Sequence, residues 1–194
     1  DIVRLGNGGE TLAITGIETL AGGTATNVIL LGRGGNTLSV SSVQSLAGGR
    51  NVDVVALGNG GNTLVVSDLE TVIGGTGTDV VLFGNDGNTT TVLAVESLVG
   101  GSGTDTLILA NTGHTLTVSG LETLSGGTGT DVIFLINAGD TLLVSNIESL
   151  VGSKATDVVT LGRRGNTLTI SFLDSLTGGN ATDSISLGNG GNTL

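Results

Sequence analysis

The chain has 194 residues, with 36 glycines and no proline, cysteine, methionine, tryptophan or tyrosine. Hydrophobic residues make up 38% of it, more than a disordered segment carries, so a core of small branched side chains is expected. The net charge of −11 and the scattering of only six lysines and arginines exclude a basic patch for nucleic acid. No apolar run approaches the roughly 20 residues that cross a bilayer, so we expect no membrane insertion.

The whole sequence is one tandem repeat of 26 residues. Repeats begin at residues 1, 27, 53, 79, 105, 131, 157 and 183, so seven are complete and the eighth is partial. We call the position of a residue within its repeat its column; columns 9 and 22 hold glycine wherever they occur. The pattern predicts a single continuous domain over residues 1–194. Because the chain begins with Asp1 instead of Met, and neither end resembles a polar cap, we expect a fragment of a longer repeat protein.

Each repeat contains three short apolar runs, separated by turns rich in glycine, asparagine and threonine. Residues 79–83 are an example of the first run, residues 62–66 of the second and residues 69–72 of the third. The alternation of apolar and polar residues in these runs predicts strands. The pattern predicts an all-β fold, a β-solenoid of the parallel β-helix or β-roll type, with 26-residue coils of three strands each and about 7.5 coils. Coils would stack at about 4.8 Å, so residues 26 apart, such as Leu57 and Phe83, should be immediate neighbours.

Carboxylates are concentrated in two columns. Column 1 is aspartate in every repeat except the second, where it is Asn27, and column 18 is mostly glutamate. Like charges about 4.8 Å apart repel by roughly 1 kcal/mol per pair in water, and by more beside an apolar wall. We therefore expect cations, backbone N–H donors or shifted pKa values to offset this repulsion.

Part of the repeat resembles a known family. The sequences GGTGTDVVL (74–82), GGSGTDTLI (100–108) and GGTGTDVIF (126–134) match the calcium-binding nonapeptide of the RTX, or haemolysin-type, repeat proteins. The resemblance implies calcium bound between stacked loops by aspartate side chains and glycine carbonyls, together with secretion to the bacterial exterior or cell surface. The ligands implied by the matching sequences, with aspartates of the same column elsewhere, are Asp53, Asp79, Asp105, Asp131, Asp157, Asp183, Gly75, Gly77, Gly101, Gly103, Gly127 and Gly129.

A simpler role for the column 1 aspartates stays open. An aspartate after a glycine-rich bend can cap its own loop, and Asn27 in the same column caps equally well. For the column 18 glutamates we expect solvated or backbone-bonded turn residues. No enzyme is predicted, because the chain has no cysteine and a single histidine, His114, which we expect at a surface turn.

Two further patterns suggest surfaces. Column 2 predicts an apolar stripe along one outer face, suited to lateral packing; its members are Ile2, Val28, Val54, Val80, Val132 and Val158. Columns 24 and 26 give rows of threonine, seen at Thr24, Thr26, Thr76, Thr78, Thr128 and Thr130.

From these features we predict a structural component of an extracellular bacterial filament, adhesin stalk or surface layer. Its predicted partners are calcium and other copies of itself, associated laterally or end to end. The alternative is a module that binds a repetitive surface, such as ice, through the threonine rows.

Overall fold

The computed structural model describes residues 1–136 and 139–192. These residues contain 22 strands and no helix, so no helix in them is long and apolar enough to cross a membrane. The strands are β1 Ile2–Arg4, β2 Thr11–Ile14, β3 Thr19–Ala21, β4 Val28–Leu31, β5 Thr37–Ser41, β6 Ser45–Ala47, β7 Val54–Leu57, β8 Thr63–Ser67, β9 Thr71–Ile73, β10 Val80–Phe83, β11 Thr89–Leu93, β12 Ser97–Val99, β13 Thr106–Leu109, β14 Thr115–Ser119, β15 Thr123–Ser125, β16 Val132–Leu135, β17 Thr141–Ser145, β18 Ser149–Val151, β19 Val158–Leu161, β20 Thr167–Ser171, β21 Ser175–Thr177 and β22 Ser184–Leu187.

The strands form two parallel sheets that face each other across one core. Odd-numbered strands make one 11-stranded sheet and even-numbered strands make the other, and the chain crosses between the sheets after every strand. The fold is therefore all-β and a β-solenoid, as predicted, with 11 turns of two strands each. The three strands predicted for each repeat are also confirmed.

The predicted coil of 26 residues and the count of about 7.5 coils are wrong. Paired residues in neighbouring turns are 17 apart, as in Thr11 and Val28, or 20 apart, as in Ser45 and Val65. A repeat supplies three strands whereas a turn of the solenoid uses two, so two repeats make three turns. Leu57 lies in the odd-numbered sheet and Phe83 in the even-numbered one, so the prediction that they are immediate neighbours is also wrong.

The physical reason lies at column 16, the short turn between the second and third strands of each repeat. All seven residues of this column have a positive φ, between 51° and 65°, although only Gly16 and Gly120 are glycines. A left-handed residue lets the short connection reverse the chain as completely as the long glycine-rich turns do. Three reversals per repeat produce two facing sheets, whereas three bends would have produced a triangle.

The apolar columns fill the space between the sheets, as predicted. Side chains of columns 3, 5, 12, 14, 17 and 20 are almost all buried. One ladder of the core passes from Leu64 through Val81 to Leu98, so that three different columns are stacked in succession. Thr90 takes the place of leucine in column 12 and is a polar residue in this core. Its hydroxyl donates to the carbonyl of Leu69 at 2.8 Å.

The left-handed residues that are not glycine provide a test of the column 16 geometry. Ala94 has a φ of 51°, which costs an L-residue about 1–2 kcal/mol. After the extra entropy of glycine in the unfolded chain is deducted, Ala94→Gly should raise the free energy of unfolding by about 0.5–1 kcal/mol. Chemical denaturation measures this change. The control Ala56→Gly lies inside β7 and should lower stability by a similar amount; a loss of stability in the Ala94 variant would contradict the geometry.

Candidate functional site

A line of polar residues follows each edge of the solenoid, where the chain crosses between the sheets. Hydrogen bonds link them in groups of three, drawn from columns 10, 1 and 18 in successive turns at the same edge. We call such a group a polar triad. The triads are Glu10–Asn27–Gln44, Asn36–Asp53–Glu70, Asn62–Asp79–Glu96, Asn88–Asp105–Glu122, His114–Asp131–Glu148 and Asp140–Asp157–Asp174.

The aspartate at the centre of a triad is buried and accepts N–H donors on both of its oxygens. Asp79 Oδ1 accepts the backbone N–H of Asn62 at 2.9 Å and the Asn62 side-chain amide at 2.7 Å. Its Oδ2 accepts the backbone N–H of Gly75 at 2.7 Å. Its exposed fraction is 0%, and the same is true of Asp53, Asp105, Asp131 and Asp157. Each carboxylate therefore caps its own turn and ties it to the preceding turn of that edge.

The column 18 residue completes the triad through the backbone. Glu96 Oε2 accepts the N–H of Asp79 at 2.8 Å, and Glu122 bonds Asp105 in the same way at 2.6 Å. The expectation of a backbone-bonded glutamate is thus confirmed in these turns. N–H donors offset the repulsion between like charges that was expected from the sequence. For example, hydrogen bonds from the side chain and backbone of Asn166 hold the pKa of Asp183 below its ordinary value.

The predicted calcium ligands are not brought together as the resemblance implied. Asp79, Asp131 and Asp183 lie on one edge, whereas Asp53, Asp105 and Asp157 lie on the other. Loops of successive repeats therefore do not stack on each other. Among the described residues no group of three or more acidic, histidine or cysteine side chains is placed to hold a metal ion.

The contacts of these residues do not fit a calcium ion at the column 1 aspartates. Calcium needs six to eight oxygen ligands, whereas the oxygens of Asp79 already face three N–H donors. The glycines named as carbonyl ligands have another role, which is close packing between turns. A Cβ on Gly75 would overlap the carbonyl oxygen of Gly58, and a Cβ on Gly77 would overlap the backbone nitrogen of Gly61. Column 22 obeys the same constraint: a Cβ on Gly74 would overlap the carbonyl oxygen of Ala94.

His114 has a role that the sequence did not reveal. It is 6% exposed, so the expectation of a surface residue is wrong. Its Nδ1 lies 2.9 Å from Asp131 Oδ1, in the place of the asparagine amide of other triads. The sequence signal that could have predicted this role is the position of His114 in column 10, which is mostly asparagine. Imidazole and amide can both donate an N–H to a carboxylate.

Asp140 departs from the donor pattern. The asparagines of column 10 donate to the central aspartate at 2.7–3.0 Å, but Asp140 places a second carboxylate beside Asp157. Its Oδ1 accepts the N–H of Gly120 at 2.9 Å, while its buried Oδ2 has no hydrogen-bond partner. Burial raises the pKa of Asp140, the Gly120 N–H lowers it, and the charges of Asp157 and Glu122 raise it further. Column 10 acids supply both buried unpartnered side-chain oxygens of the described residues, since the other is Glu10 Oε2.

The surface patterns predicted from the sequence are also divided, because two repeats make three turns of the solenoid. Thr24, Thr76 and Thr128 are exposed on one edge, but three turns separate each from the next, so they do not form a continuous row. The column 2 stripe is also divided: Val28 and Val80 belong to the even-numbered sheet, and Val54 and Val158 to the odd-numbered one. Shallow grooves lie beside several of the short turns, for example beside residues 42–44.

Comparison with protein-family models, with curated proteins and with solved structures gives no match to this chain. The polar triads and the solenoid geometry therefore carry the functional argument without support from a relative.

The raised pKa of Asp140 predicts a pH-dependent stability. A raised pKa in the folded state means that stability is greatest below the ordinary value of 3.8 and falls as the pH rises through the folded-state pKa. Asp140→Asn restores the amide donor, so it should stabilise the protein by about 1–2 kcal/mol at pH 7. Urea denaturation from pH 4 to pH 7 measures both proteins. The gain should shrink towards pH 4, and a constant gain or a loss would contradict this account.

The N–H donors around the aspartates predict that folding needs no calcium. Far-ultraviolet circular dichroism should show the same strand content and the same melting temperature with excess calcium and with a chelator. The matched control is Asp105→Ala, which removes the acceptor of Asn88 and Gly101 and should lower stability in both conditions equally. A transition that disappears in the chelator would contradict this prediction and favour the calcium site implied by the resemblance.

Proposed function

We propose that the chain is a rigid structural segment of an extracellular bacterial filament, adhesin stalk or surface layer. The observation that carries the proposal is the uninterrupted stack of 11 turns over the described residues. At about 4.8 Å per turn, these turns form a rod of about 50 Å. Because each turn contacts only its neighbours, more repeats lengthen such a rod without changing its cross-section.

The roles of the polar residues support a structural function over a catalytic one. Buried carboxylates and the only histidine of the chain are used to cap turns, as Asp131 and His114 do within one triad. The absence of cysteine and methionine suits an oxidising exterior, and the RTX-like sequences agree with export. Self-association, laterally or end to end, is part of the proposal. Calcium is left out of it, because the aspartate contacts do not fit that ion. Binding to ice or another repetitive surface stays an alternative, although its threonine rows are interrupted.

A spacer function predicts that the number of repeats sets the length of the rod. Spin labels on cysteines introduced at Thr24 and Asn180 lie on the same edge, nine turns apart, which is about 43 Å. Deleting residues 53–104 removes two repeats, hence three turns, and should bring the labels to about 29 Å. Pulsed electron paramagnetic resonance measures both distances.

The matched control is an insertion of the same two repeats, which should lengthen the distance by about 14 Å. A shortening of about 10 Å would indicate one turn per repeat instead. Loss of folding in the deletion would contradict the additive spacer, since every junction keeps the same column order.

A further inference from the structure

One of the grooves in the edges of the solenoid lies where a short turn is flanked by two long turns. The short turn contains Ser42, and the long turns span residues 22–26 and 58–62. We call this space the Ser42 groove. Its volume is about 490 Å³, which lies within the range of small-molecule sites in proteins. Its lining residues come from three successive turns of one edge, so the groove belongs to the rod itself and not to a separate domain.

The equivalent place on the other edge indicates what size of group this groove accepts. Phe172 occupies column 16 there, as Ser42 does here, and the two residues have φ angles of 57° and 54°. The ring of Phe172 lies over Gly190, because a Cβ on that glycine would come within 2.8 Å of three ring atoms. Gly60 is the corresponding glycine of the Ser42 groove, and a Cβ there would meet no atom within 4 Å. The fold already seats a six-membered ring on one such glycine, and the same place above Gly60 is open.

The lining of the Ser42 groove offers hydrogen-bonding groups of both kinds. Gln44 Oε1 accepts the backbone N–H of Asn27 at 2.8 Å, which leaves the amide nitrogen of Gln44 as a donor. Asn62 donates with its side-chain nitrogen to two turn carbonyls and to Asp79, which leaves its Oδ1 as an acceptor. Three hydroxyl groups, which can donate and accept, also line the groove, and they belong to Thr24, Ser42 and Thr63. A ligand that carries hydroxyl groups of its own matches this mixture.

No charged residue lines the Ser42 groove. The grooves at the next two short turns of the same edge are lined by Glu96 and by Glu148. The difference arises because column 18 holds glutamine at residue 44 and glutamate at those two positions. A charged ligand would find no opposite charge in the Ser42 groove, and the net charge of −11 repels anions from the whole chain. The lining therefore favours a neutral ligand.

We propose that the Ser42 groove binds a neutral sugar residue of a polysaccharide. The C–H face of a pyranose ring covers the backbone at Gly60, as the ring of Phe172 covers Gly190, and the sugar hydroxyls bond to Gln44 and Asn62. A purely apolar ring would fill the space but leave the amide and hydroxyl groups of the lining without partners, which costs free energy. The groove is shallow, so it suits one unit within a long chain. This binding activity does not depend on the structural role.

Titration of the isotope-labelled protein, followed by nuclear magnetic resonance, tests the site. The neutral probes are the methyl glycosides of glucose, galactose and mannose, and N-acetylglucosamine. Glucuronic acid is the charged probe, and N-acetylphenylalanine amide is the aromatic one. At least one neutral sugar should shift the amide signals of Ser42, Gln44 and Gly60 saturably, with a dissociation constant in the millimolar range. Glucuronic acid and the aromatic amide should bind more weakly than that sugar.

Three variants locate the binding. Ser42→Phe copies the arrangement of Phe172, so its ring should fill the groove and raise the dissociation constant roughly tenfold or more. Gln44→Glu keeps an acceptor for the Asn27 N–H but removes the amide donor, and should raise the constant roughly fivefold or more. Ala94→Phe is the matched control, because it fills the groove three turns further along the same edge and should leave the constant unchanged. Circular dichroism checks folding, and Gln44→Glu carries the test if Ser42→Phe misfolds.

Other outcomes overturn the proposal. They are the absence of binding by every neutral sugar of the set, binding that survives both Ser42→Phe and Gln44→Glu, an equal loss in Ala94→Phe, and tighter binding of glucuronic acid. Tighter binding of N-acetylphenylalanine amide would also overturn it, and would indicate a docking site for an aromatic side chain of a partner protein. The spin-label distances test the rod separately, so a correct rod without sugar binding removes only this site.

Discussion

The hydrogen bonding of the two edges is the constraint on which the rest of the solenoid depends. Within the sheets every strand finds partners, but at the edges the chain reverses every few residues and leaves backbone N–H groups buried. Asp79 accepts two of these backbone donors and the side-chain amide of Asn62, and its own N–H donates to Glu96 in the next turn. A buried carboxylate is costly unless it is so surrounded, and a buried N–H is costly unless it is accepted. Each group thus stabilises the other, and turns are joined at the edges as well as by the sheets.

The mismatch between three strands per repeat and two strands per turn decides what the surfaces can be. Every column appears alternately on both sheets and both edges, so a strict repeat would make the two faces identical. Any functional difference must come from departures between alternate repeats. Leu82 and Ala56, for example, occupy the same column on the outer sides of different sheets.

Local features of the fold could be predicted from the sequence, but its winding could not. Apolar alternation locates the strands, and the apolar columns identify the core, because both depend on neighbours within a few residues. The number of strands per turn depends on the φ angle of column 16. Ser42, Ala94 and Phe172 adopt a left-handed conformation there without the glycine that usually signals it. The partners of the aspartates were hidden for the same reason: Asn62 lies 17 residues before Asp79, a spacing that only the true coil length reveals.

The composition of the triads also indicates what kind of ladder this is. Where column 10 is the acid Glu10, the two residues that follow at that edge are the amides Asn27 and Gln44. A ladder built to bind cations would gain from a further carboxylate, so this replacement argues for a balance of donors and acceptors. The Asp140 triad lacks the replacement and keeps three acids, and in both triads the column 10 acid leaves one carboxylate oxygen buried without a donor. Both unpartnered oxygens thus lie where column 10 holds an acid in place of the asparagine donor, and an amide at residue 140 would supply that donor to Asp157.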